Sequence, residues 1–172
     1  MSALSDNIES EMEALSLAEK LSDIDDAEGI TISGGEPFLQ PEPLAVFLGR
    51  IREKRDYGAI VYTGFLHEEL AARGKNQPEI ARLLGMIDIL IDGPYVAPLD
   101  DGAAYRGSSN QRIIQLSDRY SRVFDEYYSS PKRRTEINFT RQGTFLVGVP
   151  SKGGLAAWEE IRKTGGNLKH VR

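Results

Sequence analysis

Hydrophobic positions along the chain follow first a helical and then a strand-like period. Residues 5–22 place Ile8, Met12 and Leu15 at three- and four-residue spacing, which predicts an amphipathic helix. At residues 30–33 the pattern becomes a short β-branched run, ITIS, followed by two glycines. Such a run is typical of a buried strand that ends at a turn.

This change of period recurs further along the chain. Prolines at positions 41 and 43 suit the first turn of a helix, because proline lacks the N–H that a helix interior needs. The predicted elements are helices at 41–54, 66–73 and 78–84 and strands at 59–63 and 87–91. Their alternation predicts an α/β fold with a mostly parallel open sheet. All strand carboxyl ends then share one edge, where ligands bind in open α/β sheets.

The last third of the chain has a different character. We expect a further strand at 113–116 and a helix at 118–128, then a C-terminal β-hairpin at 136–149 and a helix at 155–163. A length of 172 residues favours a single domain over two. Within it, the core would span about 28–128, with the hairpin and last helix at 135–164.

Composition narrows the possible functions. The net charge of −5 argues against nucleic-acid or anionic-lipid binding, and no apolar run approaches the roughly 20 residues of a membrane-spanning helix. We interpret Lys132, Arg133 and Arg134 as solvated surface rather than a phosphate site. The N-terminus lacks the pattern of a secretion signal, so we expect a cytoplasmic protein.

Known catalytic motifs are absent, and so is cysteine. The cysteine count of zero excludes thiolate catalysis, disulfides and cysteine-held metal centres within this chain. The two histidines, His67 and His170, have no acidic partner at a metal-ligand spacing, so no metal site and no catalytic residue is assigned. No P-loop, dinucleotide-binding glycine motif or Gly-x-Ser-x-Gly occurs either.

The glycines after the first strand carry the chemistry that remains. Gly34 and Gly35 would let a ligand reach the backbone, and the Glu36 carboxylate would face a positive group. Together they suit a zwitterion such as an amino acid. The alternative is a strand-to-helix turn in which the glycines only permit a tight path.

The compound pattern GITISGGEPFLQPEPL, YTGF, DILIDGPY and RGSSNQR resembles the radical S-adenosylmethionine activating enzymes. The resemblance is strongest to the activase of anaerobic ribonucleotide reductase and covers roughly residues 28–112. It implies a partial radical S-adenosylmethionine barrel, S-adenosylmethionine and a 4Fe-4S cluster as cofactors, and a glycyl-radical reductase as partner.

The resemblance also implies roles for individual residues. Gly34, Gly35 and Glu36 would hold the methionyl amino group of S-adenosylmethionine, and Thr63 and Gly64 would line the same pocket. Asp92 would lie near the cofactor or an adjacent cation, with Asp88 deeper in the same strand. Four loop residues match the family pattern without an assigned role: Arg106, Ser108, Ser109 and Asn110.

The sequence departs from this family in one respect. Members hold the cluster on three cysteines spaced C-x3-C-x2-C ahead of the Gly-Gly-Glu strand, and this sequence has none. We expect a truncated chain, a split gene with a cysteine-bearing N-terminal partner, or a descendant that lost the chemistry. The strand at 30–33 would then be an unpaired edge, which predicts self-association or a partner.

Three functions remain open on the sequence. The first is an oxidoreductase-type activase whose chain is N-terminally incomplete and inactive by itself. The second is a non-catalytic binding or adaptor module that retains the fold. The third is an unrelated α/β hydrolase or transferase.

Overall fold

A computed structural model describes residues 3–24, 27–128, 135–140, 143–148 and 154–164. Its secondary structure confirms the predicted alternation. The elements up to the third strand are α1 Ala3–Ser22, β1 Gly29–Ile32, α2 Pro41–Lys54, β2 Gly58–Tyr62, α3 His67–Gly74, α4 Pro78–Leu84 and β3 Ile89–Asp92. The remaining elements are β4 Arg112–Gln115, α5 Phe124–Tyr128, β5 Thr135–Thr140, β6 Gly143–Gly148 and α6 Gly154–Thr164.

The main sheet has the strand order β1-β2-β3-β4 and is open. Strands β1, β2 and β3 are parallel, as the sequence predicts, and helices form the crossovers between them. Strand β4 pairs antiparallel with β3, so that Arg112 lies opposite Asp92. The carboxyl ends of the three parallel strands therefore share one edge with the beginning of β4.

Helices α1 to α4 cover one face of the sheet. Alternate residues of the strands point to that face, and Ala59, Val61 and Leu90 are fully buried there. Leu48 and Ile51 of α2 are fully buried in the same cluster. Burying a side chain of that size contributes about 1.5–3 kcal/mol. This packing makes the sheet a rigid support for the loops at its edge.

Asp88 lies farther from the carboxyl edge than Asp92, as the sequence predicts, but just outside β3 rather than within it. It precedes β3 at the opposite, amino edge and is almost fully buried. Its carboxylate accepts hydrogen bonds from the Ala59 backbone N–H at 2.8 Å and from Arg52 at 2.7 Å. Ser117 donates a third. Asp88 therefore joins strands and helix at the end of the sheet remote from the glycines.

The predictions for the C-terminal third have different outcomes. The helix expected at 118–128 is broken into a 3-10 turn at Asp118–Tyr120 and the short α5. The Ser117 side chain caps the 3-10 turn by accepting from the Arg119 backbone N–H. The chain after β4 therefore begins with a 3-10 turn, which is tighter than an α-helical turn. The expected hairpin forms as β5 and β6. Lys132, Arg133, Arg134 and His170 lie outside the described residues.

Strand β1 forms one border of the main sheet among the described residues. It pairs with β2 on one side only, as predicted, and Thr31 is exposed. Self-association through this edge stays a prediction. No described helix combines the length and apolar character that crossing a membrane requires.

Candidate functional site at the carboxyl edge

Gly34 and Gly35 follow β1 with a backbone that favours glycine. Their φ angles are 84° and 55°, in the left-handed region that L side chains rarely adopt. A Cβ built on either residue would meet no atom within 4 Å, so the space above both glycines is open. Glycine is therefore required at these two positions by the backbone conformation and not by a crowded neighbour. The open space also leaves the peptide groups of both glycines accessible.

Glu36 joins the end of β1 to the end of β2. Its Oε1 accepts from the Thr63 hydroxyl at 2.8 Å and from the Phe38 backbone N–H at 3.0 Å, which caps a short 3-10 turn. Its Oε2 accepts from the Gly64 backbone N–H at 2.8 Å. The structure thus brings together Gly34, Gly35, Glu36, Thr63 and Gly64, as the sequence predicts.

The Glu36 carboxylate keeps capacity for a further donor. An ionised carboxylate offers about four acceptor positions, and three protein donors occupy Glu36. No cationic side chain among the residues in the structure forms an ion pair with it. Glu36 is half-buried and lies next to the open glycines. The site can therefore accept a hydrogen bond from a small cationic group.

Asp92 ends β3 and is fully buried in an ion pair. Arg112 Nε donates to Asp92 Oδ1 at 3.0 Å, and a second Arg112 nitrogen donates to Oδ2. The His67 backbone N–H also donates to Oδ2, at 2.8 Å. A protein cation therefore neutralises the Asp92 carboxylate, and its assignment to a bound cofactor stays a prediction.

Arg112 also binds Glu68 at the first turn of α3. Its two terminal nitrogens donate to the two Glu68 oxygens at 2.9 and 2.7 Å. Hydrogen bonding from Arg112 lowers the pKa of Glu68 to about 2, and the two carboxylates raise the pKa of Arg112. Arg112 therefore fixes the beginning of α3 against the end of β3.

Gln111 organises the loop at 106–112, to which the sequence pattern assigned no role. Its Oε1 accepts from the Gly107 and Ser108 backbone N–H groups at 2.8 and 3.2 Å, and its Nε2 donates to the Gly93 carbonyl at 2.9 Å. Ser108 is fully buried and accepts from the Val96 N–H, while Asn110 donates to the Pro94 carbonyl. The RGSSNQR segment therefore fixes the connection between β3 and β4.

Sequence reasoning did not identify Arg112 and Gln111 as part of this site. Arg112 was included in the RGSSNQR pattern, but its partner Asp92 depends on the antiparallel register of β3 and β4. One feature of the sequence could have indicated this pair. The polar segment RGSSNQR comes directly before the predicted strand at 113–116, which is the next strand after DILID at 88–92. Antiparallel pairing of the two strands would have placed Arg112 opposite Asp92.

Comparison with known proteins assigns the chain to a family. The sequence model of one protein family, the 4Fe-4S single cluster domain, matches residues 2–114. This range includes β1 to β3 and the beginning of β4. The chain belongs to this family.

Two curated relatives share 33% identity with it over 94 residues, 52% of this chain and 56% of their own length. They are the anaerobic ribonucleoside-triphosphate reductase-activating proteins of Salmonella typhi and Salmonella typhimurium. The chain thus spans about half the length of these relatives, and the resemblance to this activase family is confirmed. No solved structure matches.

The residues present do not fit the cluster that the family name implies. Thiolates are the usual ligands of such a cluster, and the sequence has no cysteine. The described residues also contain no group of three histidine or acidic side chains that could hold a metal ion. With no cysteine in the sequence, the residues that the structure describes therefore offer no recognisable ligand set for the 4Fe-4S cluster.

Proposed function

We propose that this chain is the S-adenosylmethionine-binding part of an activase-like protein that acts on an anaerobic ribonucleotide reductase. The partner is then a glycyl-radical enzyme, and the binding core spans residues 28–128 of a single cytoplasmic domain. The family match and the named function of the two Salmonella relatives support this proposal.

The observation that carries the proposal is the environment of Glu36. Its carboxylate is held by the Thr63 hydroxyl and the Gly64 N–H and retains acceptor capacity beside Gly34 and Gly35. The ammonium group of a bound methionyl moiety would donate to this carboxylate. Because the glycines have no side chains, the backbone at 34–35 would accept or donate to the rest of the zwitterion.

Asp92 would act on this site through Arg112 and the backbone. The ion pair neutralises Asp92, so among the carboxylates that follow β1 and end β3 it is Glu36 that would pair with a cationic ligand. Arg112 in turn holds Glu68 in the first turn of α3, and Asp92 accepts from the His67 N–H, shortly after the loop that carries Gly64. Asp92 therefore stabilises the position of Gly64 rather than contacting the ammonium group.

The proposal assigns no cluster ligand to this chain. Thiolates for a 4Fe-4S cluster would have to come from residues other than those of this sequence. We derive no electron-transfer step from the residues described. The function proposed for this chain is to bind and orient S-adenosylmethionine.

A non-catalytic adaptor is the second candidate, and the lack of cysteine favours it. An adaptor would keep the fold and a partner surface without needing cofactor binding. S-Adenosylmethionine affinity separates the two candidates, because only the activase requires an occupied site.

Isothermal titration calorimetry with S-adenosylmethionine tests the proposed function. We expect saturable binding by the unmodified chain and at least about tenfold weaker binding by Glu36→Gln and Glu36→Ala, because a charge-assisted hydrogen bond contributes about 1.5–3 kcal/mol. Glu53→Gln is the matched control, since Glu53 pairs with Arg50 on α2. No binding by the unmodified chain, or equal binding by the Glu36 variants, would contradict the proposal.

A further inference from the structure

The sheet face that points away from α1 to α4, called the second face below, is covered unevenly. Side chains alternate between the two faces along a strand, so Gly58 and Tyr62 point to the second face while Ala59 points to the helices. A Cβ on Gly58 would meet the Tyr120 hydroxyl, which places the 3-10 turn on the second face. Thr31 of β1 points to the same face and is exposed. The chain after β4 therefore covers the beginning of β2 and leaves β1 open.

Tyr105, in the loop between β3 and β4, has a backbone conformation that aromatic residues rarely adopt. Its φ angle is 65°, and it is the one residue other than glycine with positive φ in the part of the chain that the structure describes. The conformation is unfavourable because Cβ lies too close to the following carbonyl oxygen. Strained residues of this kind persist only where neighbouring contacts compensate, and they are concentrated at functional sites.

An aromatic contact and an ion pair offset this strain. The centre of the Tyr105 ring lies 4.8 Å from that of Tyr128 on α5, and Tyr128 stacks on Phe124 at 5.3 Å. Arg106 donates to Asp101 at 2.5 Å, which closes the turn around Tyr105. Because strain and contacts oppose each other, a small change in free energy can shift the loop to another arrangement.

The loop that carries Tyr105 is attached at a fixed base. The Ser109 backbone N–H donates to the Leu99 carbonyl at 2.8 Å. Between these two residues lies the segment 100–106, which we call the latch loop. Gly102 within it has a φ angle of 72°, and a Cβ added there would meet no atom within 4 Å. The latch loop therefore has room to move while its base stays closed.

The latch loop approaches the end of β2 beside the proposed ligand site. Tyr62 ends β2 on the second face and directly precedes Thr63, whose hydroxyl donates to Glu36. Burial raises the pKa of Tyr62, and the neighbouring Tyr105 raises it further. Tyr62 and Tyr105 are thus close to each other, one residue along β2 from the side chain that orients Glu36.

A large ligand held by Glu36 would compete with Tyr105 for this surface. The space above Gly34 and Gly35 is open, so an ammonium group can reach Glu36 without a change in the latch loop. The helical face of the sheet is filled by the packed core, so the rest of the ligand would extend over the second face. That face is the one on which Tyr105 approaches Tyr62.

We propose that Tyr105 is a latch that restricts access to the ligand site. In the latched state its ring rests on Tyr128, and in the open state the latch loop releases Tyr105 from positive φ and admits the ligand. The inference rests on the proposed function and adds a gate to it. A ligand that binds only the open state has an apparent affinity reduced in proportion to the open fraction, so a weaker latch gives tighter binding.

Limited digestion with trypsin, followed by mass spectrometry, measures the opening of the latch. Arg106 lies in the latch loop, and the rate of cleavage after it follows the open fraction when opening is fast. We expect Tyr128→Leu and Tyr105→Ala each to raise this rate about two- to tenfold, the contribution of one aromatic pair. Tyr105→Phe keeps the ring and is the matched control. Cleavage after Arg73, in α3, should stay unchanged in all variants.

Titration with S-adenosylmethionine separates the gate from the proposed function. Tyr128→Leu and Tyr105→Ala should bind it about two- to tenfold more tightly than the unmodified chain. Cleavage after Arg106 that both variants leave unchanged, or raise together with cleavage after Arg73, would overturn the latch. Unchanged or weaker S-adenosylmethionine binding by variants that open more often would overturn the gate and leave the proposed function standing. Absence of binding by every chain would contradict the proposed function and the gate with it.

Discussion

Thr63 Oγ1 donates a 2.8 Å hydrogen bond to Glu36 Oε1 and so fixes the carboxylate that follows β1 to the end of β2. The same oxygen accepts from the Phe65 backbone N–H at 3.1 Å, and Thr63 is buried. One hydroxyl therefore orients both the Glu36 side chain and the loop that carries Gly64. This relationship makes Thr63 a positioning residue whose effect can be measured.

Thr63→Val keeps the shape of the side chain but removes this hydroxyl. We expect a loss of about 1–3 kcal/mol in the free energy of unfolding, because the Phe65 N–H is left unpaired. S-Adenosylmethionine affinity should fall several-fold, since Glu36 would lose its fixed orientation. Thr63→Ser retains the hydroxyl and is the control. Calorimetric titration and urea unfolding of both variants provide the measurement, and equal affinities for S-adenosylmethionine would refute the positioning role.

Gly34→Ala and Gly35→Ala test the backbone of the site. Each should cost about 1–2 kcal/mol in the free energy of unfolding, because alanine is strained at positive φ although the added Cβ meets no neighbour. Gly49→Ala on α2 is the matched control. Its Cβ would lie 3.5 Å from Met86 Cε, and alanine in a helix should stabilise by about 0.5–1 kcal/mol. Urea unfolding measures all three, and stabilisation by Gly34→Ala would contradict the strain argument.

Asp88→Ala tests the amino edge of the sheet. We expect a loss of about 3–5 kcal/mol in unfolding free energy, because Arg52 and the Ala59 N–H would lose a buried partner. Asp56→Ala is the control, since Asp56 pairs with Arg119 while 87% exposed and should change stability by about 0–1 kcal/mol. Chemical denaturation measures both. A small effect of Asp88→Ala would show that its ion pair contributes little.

Glu68 gives a pH dependence with a defined sign. Hydrogen bonding from Arg112 lowers the Glu68 pKa from 4.5 to about 2, so its stabilisation is present above about pH 4.5 and is lost as the pH falls towards 2. Glu68→Gln cannot titrate. The difference in Tm between the unmodified chain and this variant should therefore shrink from pH 5 to pH 2. The difference should be small at any pH because Glu68 is exposed.

A control variant isolates the Arg112 interaction. Glu13 is exposed on α1 and has no ion pair among the residues that the structure describes. Glu13→Gln removes an exposed carboxylate that Arg112 does not contact and is therefore the matched control for Glu68→Gln. A Tm difference between the unmodified chain and Glu68→Gln that stays constant from pH 5 to pH 2 would argue against a lowered pKa of Glu68.

The sequence predicted best those elements whose structure depends on residues close to one another along the chain. Hydrophobic period, prolines and glycines predicted β1, α2, β2 and β3 to within a residue or two, because these signals are local. The break between Asp118–Tyr120 and α5 was missed, since the Ser117 cap competes with the helical pattern. The meeting of Glu36 with Thr63 and Gly64 followed from strand order alone, because parallel strands end at one edge.

By itself, the sequence determined the alternation of strands and helices, the absence of cysteine ligands and the glycine pair ahead of Glu36. Only the tertiary structure decided that Arg112 neutralises Asp92, that Asp88 belongs to the amino edge and that Tyr105 lies against Tyr128. The reason is physical. Local periodicity follows from backbone geometry, whereas the partner of a charged side chain depends on strand register and packing between residues distant in the chain.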